Sequence, residues 1–277
     1  MPESTHAYPS AIPVGVDTTR ASIARVYDAA LNGKDNFEVD RLVLDQVRTV
    51  APGVAELAWA NRDFLIRACR FLAKEAGIDQ YLDLGSGLPT AENTHQVVQR
   101  VNPASTVVYV DNDPMVLTHA RALLAGNPHT TIVESDIFRP LEVLKSADVR
   151  EEIDFTRPLA LLHVGTLHHY SADDADAIMR TYIDALPRGS YVAIAHFYDP
   201  EADPYSDLAR RMEEKFIHSP MSSGRFRTRA QIQALFGDLT MIDPGLVLAD
   251  DWWPDGPHLS PLTDVRHCIA AGIGFKR

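Results

Sequence analysis

The stretch Tyr81-Leu82-Asp83-Leu84-Gly85-Ser86-Gly87-Leu88-Pro89-Thr90-Ala91-Glu92-Asn93 (YLDLGSGLPTAEN) reads as a short apolar strand, a glycine turn and the opening of a helix. That order sets a ligand loop at the carboxyl end of a parallel strand, where a bare backbone and a helix N-terminus can approach a ligand together. A dinucleotide-binding turn asks for a third glycine, which lets helix and strand pack closely. Gly85 and Gly87 fit that pattern, but Thr90 stands where the third glycine belongs. Pro89-Thr90 reads instead as a helix start, with Thr90 as N-cap and Asn93 in the place of a capping-box partner.

Asp83 carries more information than the glycines. A carboxylate two residues before the turn suits a cation better than a diphosphate. The ammonium of the amino-acid part of S-adenosylmethionine is such a cation, with its sulfonium close by. The next crossover ends at Asp111, where a carboxylate can accept hydrogen bonds from both ribose hydroxyls of a nucleoside. That feature serves NAD and S-adenosylmethionine equally. A third acid, Asp136, follows the third strand, placed to accept from an adenine amino group while Ile137 packs on the ring. Three acids at successive strand ends also fit plain capping of strand ends and helix starts.

Outward from the loop, the apolar runs Thr106–Val110, Thr131–Val133, Leu159–Val164 and Tyr191–Ala195 read as further strands. Helical periodicity fills Thr90–Val101, Pro114–Leu124, 139–148 and Ala172–Leu186 between them. With Leu246–Ala249 and Cys268–Phe275 this predicts a doubly wound, mostly parallel α/β sheet of seven strands. Upstream, residues 20–78 predict a helical cap: Ile23, Val26, Tyr27 and Ala30 recur at helical spacing, a second helix starts near Phe37, and a third runs from near Pro52 to Gly77. Residues 1–19, polar and proline-rich, predict a flexible arm, and 79–277 the cofactor-binding domain. Within it, 203–230 is irregular and predicts a substrate lid.

Composition narrows the partners. Against 26 Lys and Arg stand 38 Asp and Glu, a formal charge of −12, which opposes a broad interface with nucleic acid and argues against a membrane surface. No apolar run reaches the roughly 18 residues a membrane helix needs. The N-terminus lacks a basic-then-apolar secretory pattern, and Cys69 and Cys268 sit apart in apolar surroundings. A cytoplasmic chain with two reduced thiols is the expectation. No Cys/His spacing suggests a metal site.

YLDLGSG, VVYVDNDPMVL, ESDI and LALLHVGTLHHY resemble the successive motifs of class I S-adenosylmethionine-dependent methyltransferases. More narrowly, ARVYDAALNGKDNFEVDR (24–41), NRDFLIRACRFL (61–72) and LDLGSGLPTAENTHQV (82–97) resemble an actinobacterial S-adenosyl methyltransferase family formerly classed as a domain of unknown function. The resemblance implies a Rossmann-like fold, S-adenosyl-L-methionine as cofactor and a small-molecule acceptor. It implies a cradle of Asp83, Gly85, Ser86 and Gly87, with Asp111 on the ribose and Asn112, Asp136 and Ile137 around adenine. His163 and Gly165, ending the fourth strand, would pass the methionine part, and Tyr27 with the Gly33 turn would close over it. An equally simple reading makes the Asn32–Asn36 turn a helix connection capped by Asp35 or Asn36.

Methyl transfer needs a general base only when the acceptor arrives protonated. His168, in LHHY after the fourth strand, is the candidate base, with His169 beside it. His196-Phe197-Tyr198-Asp199 follows the fifth strand and either lines the acceptor pocket or, the reading favoured for His196, hydrogen-bonds within the core; Arg225, Arg227 and Arg229 read as a solvated loop that could otherwise meet an acidic substrate. Trp252-Trp253 form a pocket wall or a loop anchor. Two alternatives remain: a protein that binds the cofactor without turnover, and an NAD-dependent oxidoreductase, which Asp83 and the missing glycine disfavour.

Overall fold

The computed structural model describes residues 12–89 and 92–277. Three helices open it: α1 (Ile23–Ala30), α2 (Glu38–Arg48) and α3 (Ala55–Lys74). Strands and helices then alternate as β1 (Gln80–Leu84), α4 (Thr94–Val101), β2 (Thr106–Asp111), α5 (Pro114–Leu124) and β3 (Thr130–Glu134). Next come α6 (Pro140–Lys145), α7 (Ala147–Glu152), β4 (Ala160–Val164), α8 (Ala175–Ala185), β5 (Tyr191–Asp199) and α9 (Tyr205–Ile217). The chain closes with β6 (Arg227–Thr228), α10 (Arg229–Ala234), β7 (Thr240–Met241), β8 (Val247–Leu248) and β9 (Ile269–Phe275).

The strands form one open sheet in the order β3-β2-β1-β4-β5-β9-β7, with β6 beside β5 and β8 beside β9. It is parallel from β3 to β5, and β9 runs antiparallel to β5. Nine strands therefore stand among the described residues where seven were expected. The difference lies in two-residue pairings such as Arg227–Thr228, too short to leave a period in the sequence. From β1 the chain turns one way toward β2 and β3, and from β4 the other way toward β5. A crevice opens at the carboxyl ends of these two central strands, where such sheets bind ligands.

Both faces of the sheet are covered, which is why β1 is buried at every position. On one face α3 lies against it: Phe64, Ala68 and Leu72 share a core with Tyr81, Leu162 and Ala193. On the other, Met179 and Tyr182 of α8 and Phe236 pack with Leu82, Leu161 and Ile194. Trp252 is fully buried, edge-on to Phe64 and Phe71, so it anchors its loop to α3. Val16, within the expected arm, packs with Ala24, Leu88, Met115 and Val116; residues 1–11 of that arm lie outside the described part.

Helix α4 starts later than the sequence suggested. Asn93 is its N-cap, and the Asn93 backbone N–H donates to Gln96 Oε1 at 2.8 Å. Thr90, the expected N-cap, lies outside the described residues. The Thr94 hydroxyl at the first helical position is turned back onto Asp83, so the loop must reach this far before the helix can begin.

One buried carboxylate fixes α1 against α2. Asp40 accepts from the backbone N–H groups of Ser22 (3.0 Å) and Phe37 (2.8 Å) and from Arg25 Nε (2.8 Å). Both Asp40 and Arg25 are buried, so removing one leaves the other charged and unpaired, at a cost of about 3–5 kcal/mol. Asp40→Ala should lower the unfolding free energy by that much, with Asp40→Asn, which keeps an acceptor, losing less. Equal stability of the alanine variant in a denaturant titration would disprove this role.

Candidate active site

The crevice holds a cavity of about 740 Å³. Its floor is the loop after β1. Gly85 takes a φ of 78°, donates its N–H to Val110 O at 2.7 Å, and has no room for a side chain: a Cβ there would sit 2.6 Å from Thr166 Cγ2 and 3.1 Å from Ile137 Cδ1. Gly87 needs glycine for a different reason, its φ of 65°, since the space beside it is open.

Two buried acids flank this loop. Asp83 accepts from Thr94 Oγ1 at 2.7 Å, and burial pushes its carboxyl up to about 6, against the opposing pull of Thr94 and Arg62. Asp111 accepts from the Gly87 N–H at 2.9 Å and the Asp113 N–H at 3.0 Å, and burial raises it too. Asp136 ends the row with its Oδ1 accepting from the Phe138 N–H at 2.9 Å. All three acids line the one cavity, together with Ser86, Asn112 and Ile137.

The far wall comes from the cap. Tyr27 donates its hydroxyl to Ala58 O at 3.1 Å and accepts from Asn61 Nδ2 at 2.9 Å. Asn61 presses on the turn after β4: a Cβ on Gly165, whose φ is 77°, would lie 2.8 Å from Asn61 Nδ2. Tyr27, Asn61 and Gly165 also line a second, smaller chamber of about 50 Å³, whose other walls include Leu57, His168 and Phe197.

Three expected site residues do not reach the main cavity. The Gly33 turn wraps the Asp28 carboxylate, which accepts from the Asp35 N–H (2.9 Å) and Asn36 Nδ2 (2.8 Å), so it serves as a helix connection. A Cβ at Gly33 would overlap Asp28. His163 is fully buried, packed edge-on against Tyr182; its Nδ1 meets Thr166 Oγ1 at 2.8 Å, and burial lowers it to about 3. It orients Thr166, which does line the cavity. His168 lies in the smaller chamber, stacked on Phe197 at 3.6 Å, its Nδ1 accepting from the Phe197 N–H at 3.4 Å. Burial, with His169, His196 and Arg227 nearby, drives its protonation well below the ordinary histidine range.

The arginine loop is not simply solvated. Arg227 is buried and donates to Leu167 O (3.1 Å) and to His196 Nε2 (2.6 Å), which fixes the His196 proton on Nδ1, donating to Phe197 O. Arg225 pairs with Asp173. Asn61, Arg62, Thr94, Phe138 and Thr166 line the cavity although no role was read for them, and His169, read as the lesser candidate beside His168, lines it as well. Among the described residues no cluster of His, Cys, Asp and Glu is arranged to hold a metal, and no helix is long and apolar enough to cross a membrane.

A doubly wound sheet places a glycine loop and acids at three successive strand ends around one cavity, the arrangement expected from the motifs that resemble class I S-adenosylmethionine-dependent methyltransferases. The family follows from sequence: a model of the S-adenosyl methyltransferase family matches residues 10–277, and the chain belongs to that family. Its structure is similar to that of a candidate methyltransferase from Thermobifida fusca YX, 45% identical, with a TM-score of 0.90 over 95% of this chain and 98% of that one. It is also similar to a DUF574 family protein from Streptomyces avermitilis MA-4680, 35% identical, with a TM-score of 0.87 over 94% and 99% of the two chains. No curated protein matches the sequence.

The contact between Asn61 and Gly165 joins cap and sheet at the cavity. Gly165→Ala should destabilise the protein through the strained φ and through the clash with Asn61. In an Asn61→Ala background the clash part should vanish, leaving a coupling of about 0.5–3 kcal/mol in a double-mutant cycle of denaturation midpoints. Strictly additive costs would show that the amide does not press on this turn.

Proposed function

We propose that the protein transfers a methyl group from S-adenosylmethionine to a small-molecule acceptor, using the β1–β4 crevice as the cofactor seat. The carrying observation is the convergence of Asp83, Asp111 and Asp136 on one cavity floored by Gly85 and Gly87. These residues fit the cofactor group by group. Asp83, whose carboxyl burial raises to about 6 and whose charged form a cation favours, receives the ammonium. Asp111, already oriented by two backbone N–H groups, accepts from the ribose hydroxyls. Asn112, Asp136, Ile137 and Phe138 take the adenine, and Gly165 with Tyr27 borders the methionine part.

The bound cofactor supplies an electrophilic methyl group on a sulfonium. The chain's own contribution is to place the acceptor and exclude water. The histidines near the smaller chamber are held neutral: burial lowers His169 and His196 to about 3, and His168 is depressed by the same cause. Groups with so little affinity for a proton are poor general bases near neutral pH, so His168 acts as a wall of the acceptor space rather than as a proton carrier. A cytoplasmic setting fits Cys69 and Cys268, which are free and buried.

The role of Asp83 sets a pH dependence. A cationic ligand binds the ionised carboxylate, and in the free protein that form is lost as pH falls through about 6. Affinity for S-adenosylhomocysteine, which keeps the ammonium, should be flat above pH 7 and fall progressively below pH 6, with proton release on binding near pH 6. Asp83→Asn should weaken binding at pH 7.5 by about ten- to a hundredfold, the worth of a charge-assisted hydrogen bond of about 1.5–3 kcal/mol, and remove most of that dependence. Calorimetry across pH 5–8 checks both; unchanged affinity of the variant would overturn the assignment.

A further inference from the structure

The smaller chamber opens off the cofactor cavity, and the two share Ile23, Tyr27, Asn61, Gly165, His169 and Met221. None of the described residues lining the chamber is Asp, Glu, Lys or Arg. An acceptor bearing a full charge would have to be desolvated there without a counter-charge, which costs several kcal/mol. The imidazoles of His168 and His169 are neutral for the same reason, burial, and supply no cation to an acidic acceptor. Arg227 donates to Leu167 O, Tyr170 O and His196, and Arg62, next to Asn61 in sequence, lines the cofactor cavity and not this chamber.

One polar atom at the junction is unsatisfied. Tyr27 has a single hydroxyl proton and gives it to Ala58 O, so Asn61 must turn its NH₂ toward the Tyr27 oxygen. That fixes the amide orientation and leaves Asn61 Oδ1 as the acceptor, buried and without a hydrogen-bond partner among the described residues. A buried acceptor left unpaired costs about 1–3 kcal/mol, and a ligand N–H or O–H recovers it. Below it the walls are apolar: Val26, Ala30, Leu44, Val54 and Leu57. About 50 Å³ holds a few atoms, so the chamber admits the narrow end of a molecule whose bulk stays at the junction.

Resting on the methyltransferase reading, we infer that this chamber is the acceptor subsite, that it takes an uncharged, largely apolar acceptor, and that Asn61 Oδ1 receives the N–H or O–H of that acceptor. Asn61 is thus the specificity-determining residue, and the apolar chamber selects against carboxylate and ammonium compounds.

The test uses the full chain saturated with S-adenosylhomocysteine, with phenol, toluene, benzoate and benzylammonium as probes and ligand-observed NMR as readout. Phenol should bind about tenfold tighter than toluene, and benzoate and benzylammonium should bind weakest. Asn61→Ala should erase the preference for phenol over toluene while leaving S-adenosylhomocysteine affinity within about threefold. Ala30→Leu, which fills the chamber away from the cofactor cavity, should abolish phenol binding with the homocysteine product still bound. A phenol preference that survives Asn61→Ala, charged probes that bind as well as phenol, or no probe binding at all would overturn the subsite. A loss of S-adenosylhomocysteine affinity in Asn61→Ala larger than the loss for phenol would assign Oδ1 to the cofactor and likewise overturn it. Failure of the wild type to bind S-adenosylhomocysteine would instead strike the methyltransferase reading itself.

Discussion

A carboxylate buried at the end of β1 is the constraint around which the crevice is built. Asp83 is all but inaccessible to water, so its charge must be met from within. Thr94 turns its hydroxyl onto it, which draws the first residue of α4 back toward the strand and delays the helix. Arg62, from α3, supplies a positive field that opposes the rise in its pKa. The helical cap, the sheet and the following crossover thereby meet at one side chain. The arrangement is still short of charge balance by the measure of the carboxyl itself, which holds its proton up to about 6. In the proposed reading a cationic ligand completes it. The same residue thus accounts for the late start of the helix and, in the reading proposed above, for an ammonium rather than a phosphate at this end of the crevice.

The second constraint is steric and lies opposite. Gly85 and Gly165 follow the two central strands, both with positive φ, and each is overlaid by a side chain from elsewhere. Thr166 and Ile137 close over the first, and Asn61 over the second. Thr166 is itself oriented by His163 from beneath, so the histidine that the motif placed at the ligand acts one layer away. Backbone approach at both strand ends leaves the intervening space for a ligand rather than for side chains.

Much of this was legible in the sequence, and the limits have physical reasons. The central strands declared themselves because a parallel sheet covered on both faces requires continuous apolar runs, as in YLDL and VVYV. Asp83, Asp111 and Asp136 were legible because each interrupts such a run at its carboxyl end. Asn61 and Arg62 were not, although both sit in the quoted NRDFLIR stretch: a polar residue on a helix looks solvated until the helix is known to be buried over the crevice. The signal was their place on the face shared with Leu57, Phe64, Leu65 and Ala68. His163 and His168 could be placed at the right strand end, but β-strand alternation and the turn at Leu167–His169 decide which way a ring points, and neither is resolved by residue type. Gly33 misled because a glycine turn among helices looks like a ligand loop, when here it makes room for Asp28.

The segment after α9 shows how a sequence irregularity becomes a wall. Ser223 shares a hydrogen bond with His169 Nδ1, the Arg225 N–H donates to His168 O, and Arg227 reaches Leu167 O, so three alternate residues fasten this segment to the turn after β4. Met221, just before them, completes both cavities. Lifting the segment as a lid would expose the buried Arg227 and strip His196 of the donor that sets its tautomer. On the other side Ser219 holds Met221 and Ser222: its Oγ accepts from the Met221 N–H at 3.2 Å and its carbonyl from the Ser222 N–H at 3.0 Å. Any opening at Met221 would therefore break ties to Ser219 or to the turn after β4, so Met221 belongs to a wall held from both sides.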